Sequence, residues 1–286
     1  YLVGIEEHFA WETREDWLKS NITNEAFAYL LISAKDLRSA ASSIFRRKIM
    51  ECVSVENLDP YTVGHAFRGI NDPAVVEWRK QYYLVCPNAV LHSLDGSLTD
   101  TDSLEIRAAI QTRGNLLETS SKVKTERYLV DSVTGSDKPF AWEIREKFKT
   151  NLTTDVVESL AGVDNARAHQ LRQEFWLSKP FDFQPLLKSL VGTTSVESTN
   201  LCSEVFEHKR MSAYLRFNYG RVLAHRTDDW TSSVRRKHVL EQESTEWKDL
   251  KVARFLAESL QGIDTVEAYD IRNKIVSMRG LDTEII

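Results

Sequence analysis

Residues Glu158, Ser159, Leu160, Gly162, Asp164, Ala168 and Arg172 recur one hundred positions later as Glu258, Ser259, Leu260, Gly262, Asp264, Ala268 and Arg272. A third stretch keeps the same beat through Ser132, Val133, Gly135, Asp137, Ala141 and Arg145. Looser copies centre on Gly69, Gly96 and Gly192, and a degenerate one carries His225 in the glycine slot. Taking that slot as an anchor, the positions 69, 96, 135, 162, 192, 225 and 262 lie 27, 39, 27, 30, 33 and 37 residues apart. An eighth, more degraded copy lies near Ala34. A chain that repeats itself every few tens of residues cannot bury the apolar face of one copy alone, so the copies must stack.

Each copy reads as two helices. Six residues before the anchor stand Val63, Val90, Leu129, Val156, Leu186, Tyr219 and Leu256. Two before it stand Phe67, Leu94, Val133, Leu160, Leu190, Leu223 and Leu260. That i, i+4 spacing puts both on one helix face. The glycine suits a left-handed position that ends the helix. Asp137, Asp164 and Asp264 are expected to cap the next one. In that second helix, small Ala141, Ala168 and Ala268 precede a stripe through Ile144, Leu171 and Ile271 to Phe148, Phe175 and Ile275.

The expected fold class is therefore all-α: an α-solenoid of about seven stacked helix-pair repeats. Residues 60–286 form the array, and residues 1–59 an N-terminal helical cap in which Asn24 to Met50 makes one long helix or two. The helix–Gly–Asp–helix unit resembles HEAT-like repeat proteins. Short repeats of this kind also accompany thymidylate-kinase-like P-loop domains, and that resemblance implies an accessory module of a nucleotide-kinase-like protein. The chain itself has no Gly-x-x-x-x-Gly-Lys-Ser/Thr stretch. Tyr1 to Ile5 reads as a short strand, and the inserts at 112–126 and 208–221 as irregular.

Composition agrees with helices: 11 glycines and 6 prolines among 286 residues leave few breakers. The net charge of −5 argues against a basic nucleic-acid binder. Cys52, Cys86 and Cys202 have neither disulfide-framework nor metal spacing, which points to reduced thiols and a cytoplasmic location. No apolar run is long enough to span a membrane, and no cofactor is expected.

An arginine recurs ten residues after the anchor as Arg79, Arg145, Arg172, Arg235 and Arg272, with Arg107 one place late. Such a ladder either grips phosphates or an acidic partner, or bonds to helix-end carbonyls within the stack; the second reading is the expected one. On it, Gly162→Val disturbs the stack and Arg172→Lys matters less. Serines 93, 132, 159, 189 and 259 stand three before the anchor, placed to bond back to a helix carbonyl. Trp11, Trp17 and Trp230 are candidate anchors for a partner. Asp100 and Ser103 read as a helix N-cap.

Basic clusters stand at Arg46 to Lys48, Lys122 to Arg127 and Arg235 to His238. The last adjoins Trp230, Asp228 and Asp229 and resembles the base-stacking and phosphate-binding face of HEAT-like DNA glycosylases. Glu6 and His8 resemble the first-strand Glu-x-His pair of amidohydrolase decarboxylases, which implies zinc assisted by His169 and Asp282; a (β/α)₈ barrel needs strands that this pattern lacks. The function expected is a non-catalytic scaffold or regulatory module. It would bind another protein or a missing domain of its own chain. A glycosylase-like nucleic-acid binder and a zinc amidohydrolase are the alternatives.

Overall fold

The structure, a computed structural model, describes residues 5–20, 23–35, 37–52, 59–114, 119–244 and 246–278. Every regular element among them is helical. The chain forms two compact halves, residues 1–152 and 153–286.

The first half holds α1 (His8–Lys19), α2 (Asn24–Ser33), α3 (Ala40–Cys52), α4 (Pro60–Ala66), α5 (Pro73–Tyr82), α6 (Pro87–Ser93), α7 (Thr101–Gly114), α8 (Thr119–Asp131) and α9 (Pro139–Phe148). Alternate helices are neighbours: α2 lies on α4, α4 on α6 and α6 on α8, while α3 lies on α5 and α5 on α7. The second half holds α10 (Thr153–Glu158), α11 (Ala166–Ser178), α12 (Phe183–Leu190), α13 (Val196–Glu207), α14 (Ala213–Asn218), a 3₁₀ turn (Gly220–Leu223), α15 (Asp229–Ser244), α16 (Leu250–Ser259) and α17 (Val266–Val276). There α10 lies on α12, α12 on the 3₁₀ turn and that turn on α16, while α11 lies on α13.

The apolar columns build the core. All the residues six and two before an anchor are buried except Tyr219, which is half-buried. Removing one of these leucines is expected to cost about 2–5 kcal/mol. Ala141, Ala168 and Ala268 are buried. Gly69, Gly135, Gly162, Gly192 and Gly262 are left-handed, and so is His225, with φ 61°. The register thus overrides residue type at His225, in a region that side chains with a Cβ rarely enter.

Two details depart from the sequence reading. The second helices are capped one residue later than expected: Asn165 caps α11 and Thr265 caps α17, whereas Lys138 precedes α9 with no side-chain cap. Asp164 is then free to bond elsewhere, as described below. Of the insert at 112–126, expected to be irregular, residues 112–114 belong to α7 and residues 119–126 to α8, and the insert at 208–221 contains α14. Asn24 to Met50 takes the two-helix form of the two expected, α2 and α3. The strand expected at residues 1–5 falls almost wholly outside the described residues.

The N-terminal segment also keeps the beat. Phe9, Ala10, Trp11, Glu12 and Arg14 match Phe140, Ala141, Trp142, Glu143 and Arg145 position for position, which makes α1 a second helix of the repeat and puts Gly4 in the anchor slot. Arg46 likewise stands ten after Asp36, and Ser33 three before it.

Candidate functional site

The arginine ladder exists, and it points inward. Arg79, Arg107, Arg145, Arg172 and Arg235 are buried and Arg272 is half-buried. Each guanidinium spans the end of its own first helix. Arg172 Nη2 donates to Leu160 O at 2.9 Å and Val163 O at 2.8 Å, carbonyls two before and one after the anchor. Arg145 does the same to Val133 O and Ser136 O, and Arg272 to Leu260 O and Ile263 O. Arg46 repeats the pattern on Ala34 O and Leu37 O, and Arg14 reaches Ile5 O. Carbonyls at a helix C-terminus lack intrahelical donors and carry partial negative charge, so a cation with five N–H donors suits them.

The same side chains then cross to the following helix pair. Arg172 Nε donates to Ser189 Oγ at 3.2 Å and its Nη2 to Ser189 O at 2.7 Å. Arg79 meets Ser93, Arg107 meets Ser132 and Arg14 meets Ser33 through hydroxyl and carbonyl alike, while Arg235 meets the carbonyl of Ser259. The serine column is therefore the acceptor for the arginine column one helix pair earlier. Burial pulls Arg79, Arg107, Arg172 and Arg235 down to about 10, so they remain cations at neutral pH.

This arrangement removes the ladder from the surface. Eight of the 37 lysines and arginines (Arg14, Arg46, Arg79, Arg107, Arg145, Arg172, Arg226 and Arg235) are buried, and no described Asp or Glu is. The solvent-facing charge is thus more acidic than −5 suggests, the wrong sign for phosphates.

Trp230 and its basic neighbours do not assemble a base-stacking site. Arg235 and His238 are buried, Asp228 caps α15 through Thr231, and the Trp230 indole N–H donates to Glu207 at 2.7 Å. Trp11 packs edge-on against Phe45 with Arg14 over its face. Trp17 is 53% exposed and is the one of the three indoles that lies open. Asp100 accepts from Ser103 N at 3.0 Å, the N-cap read from the sequence.

Glu6 and His8 lie in the turn and first residue of α1, exposed, with His8 Nε2 3.3 Å from Glu12. No strand carries them, because the described chain has none, and the implied barrel is not the fold. His169 belongs to the other half, and Asp282 lies outside the described residues. No three His, Cys, Asp or Glu side chains among the described residues form a metal-binding group. His169 Nε2 stands 3.2 Å from both Ser195 Oγ and Asp164 Oδ1. One nitrogen faces both partners, so the imidazole cannot relay a proton between them as a catalytic triad requires. Asp164 instead accepts from Thr194 N, Ser195 N and the Ser195 and Ser198 hydroxyls. Burial opposes ionisation of Asp164, and these bonds outweigh it, holding its carboxyl well below the usual range.

One surface cluster escaped the sequence reading. On α4, α6 and α8, the His65 and His92 rings stack at 5.7 Å, Tyr128 meets His92 edge-on at 5.9 Å, and Tyr61 lies 6.0 Å from Tyr128. Lys35 Nζ is 3.1 Å from His65 Nε2, Lys124 sits over Tyr61, and Arg68 pairs with Asp131 at 2.8 Å. Burial works against ionisation of Asp131, but His92 and Arg68 outweigh it and hold the carboxyl at about 2. His65 and His92 both stand four before their anchors, a signal visible only once the copies are aligned.

Among the described residues no helix is long and apolar enough to cross a membrane. The chain matches no protein-family model, no curated protein and no solved structure.

Proposed function

We propose that the chain is an α-solenoid of helix pairs. It serves as a scaffold or regulatory module for another protein, or for a further domain of its own polypeptide, and needs no cofactor. The observation that carries this reading is the arginine–serine bond. It joins one helix pair to the next at Arg14 and Ser33, Arg79 and Ser93, and Arg107 and Ser132 in the first half, and at Arg172 and Ser189 and Arg235 and Ser259 in the second. Buried polar chemistry thus supports stacking, and outward side chains of successive first helices fall into register. In the first half that register lines up Tyr61, His65, His92 and Tyr128, flanked by Lys35 and Lys124. Half-exposed aromatic faces beside cations suit a protein segment bearing apolar and acidic side chains. The three unpaired cysteines favour a reducing, cytoplasmic setting.

The test is gentle purification from source cells followed by native mass spectrometry, with the wild type and a Tyr61→Ala/Tyr128→Ala variant side by side. A protein held in fixed stoichiometry by the wild type and lost from the variant is the expected result. Nucleic acid released steeply by salt, a bound zinc ion, or a bare chain from both preparations would contradict it.

A further inference from the structure

The two closest copies in the sequence differ in what lies beyond them. In the copy around Gly162, four groups reach the following helix pair. The Gly162 N–H donates to Val191 O at 2.7 Å, and the Asp164 carboxylate accepts from Thr194 N and Ser195 N at 2.8 and 2.7 Å. Arg172 bonds Ser189, and the Trp176 indole N–H donates to Glu204 at 2.7 Å. The copy around Gly262 carries the same anchor, aspartate and arginine, and none of those outward bonds is made among the described residues. Arg272 uses only Nη2, on its own turn. Asp264 is exposed. Val276, at the position of Trp176, is 54% exposed where Trp176 is 8%, and Tyr269, at the position of His169, is 63% exposed.

We infer that this face of α17 is a docking surface for one further helix pair of the same repeat type. The inference rests on the stacked-array reading above and deepens it by naming the occupant's chemistry. The occupant must present a first helix ending in a serine whose hydroxyl and carbonyl meet Arg272. A free carbonyl just before its anchor takes the Gly262 N–H, and two backbone N–H groups just after it are held by Asp264. A second copy of the chain does not offer this at its N-terminal side, because its first described helix, α1, is a second helix of the repeat and Arg272 needs a first one.

The test lengthens the chain with a copy of residues 179–209, which contain α12 and α13, joined after Met278; that residue stands sixteen past its anchor, as Ser178 does. The expected result is that exchange of the Gly262 amide and of α17 slows by roughly tenfold or more, toward that of Gly162 and α11. Arg272→Met should cancel much of that slowing. If Gly262 exchanges as before in the lengthened chain while Gly162 stays protected, the docking surface is refuted and the array stands. If Gly162 and Gly262 already exchange alike in the unmodified protein, the stacking itself is refuted. A concentration-dependent dimer of the unmodified chain, abolished by Tyr269→Glu, would make a second copy the occupant and overturn the inference.

Discussion

Two neighbouring helix ends in the second half solve the same problem in opposite ways. At α10, the carbonyls of Leu160 and Val163 are taken by Arg172, which then crosses to Ser189. At α12, the arginine position is Cys202, fully buried, with its thiol pushed up to about 12 by burial. The serine that such an arginine would meet is also gone: Val222 stands there. Thr193 Oγ1 takes the Leu190 carbonyl instead, and Arg226 reaches back from the next turn to Thr193 Oγ1 at 3.1 Å, Thr199 Oγ1 and Val222 O. Here both partners of the bond are lost together, and a cation of different origin fills the space. At α3, by contrast, the arginine is kept while Ala66 stands in the serine slot, and Arg46 pairs with Asp72 instead. In both cases a buried cation, Arg226 or Arg46, remains at the helix end although the arginine–serine pair is not kept.

The largest effect is expected from Arg172→Met, which removes the guanidinium donor from the buried carbonyls of Leu160, Val163 and Ser189, although Leu160 O keeps the Val163 N–H. A loss of roughly 2–5 kcal/mol should appear as a lower urea midpoint for the second half. Arg172→Lys keeps the charge but not the fork that reaches both turns, so it should recover less than half of that loss.

Cys202→Arg brings a second cation beside Arg226 and should cost about 1–3 kcal/mol. Adding Val222→Ser and Arg226→Thr rebuilds the regular junction, and the triple variant should melt near the wild type. If the triple variant is as unstable as Cys202→Arg alone, the two junctions are not interchangeable.

A smaller effect separates the two left-handed residues. His225→Gly removes a Cβ from a strained conformation and should stabilise the half by about 0.5–1 kcal/mol, whereas Gly162→Ala should destabilise it by a similar amount. Calorimetry of the two variants checks the signs.

The smallest concerns pH. Asp164 is depressed in the folded chain, so its contribution to stability is fully present above the ordinary aspartate pKa near 4 and is lost as pH falls toward the lower folded value. Asp164→Asn should lower stability at neutral pH and flatten the fall on acidification. Asp264→Asn, with no such bonds among the described residues, should leave stability at neutral pH unchanged.

Much of the fold was legible because it depends on fixed spacings. The apolar columns and the left-handed backbone at six of the seven anchors, His225 among them and Gly96 the exception, follow from positions counted within one copy. The arginine–serine bond was not legible as a pair, because inserts between copies vary its separation: 14 residues for Arg79 and Ser93, 17 for Arg172 and Ser189, 25 for Arg107 and Ser132. Each column was visible, yet neither named the other. The register of α1 was hidden by Glu6 and His8, whose types suggest metal chemistry, while their place is that of Asp137 and Pro139 in a repeat turn. The histidine–tyrosine cluster depends on helices distant in sequence, and no local pattern marks it.

The most direct measurement is a double-mutant cycle on Arg172→Met and Ser189→Val, read by equilibrium unfolding of the second half. The expected result is a coupling of about 1–3 kcal/mol, with Ser189→Val nearly silent once Arg172 is gone. Additive losses, within about 0.5 kcal/mol, would show that the two residues act independently and that the arginine–serine bond does not hold one helix pair to the next.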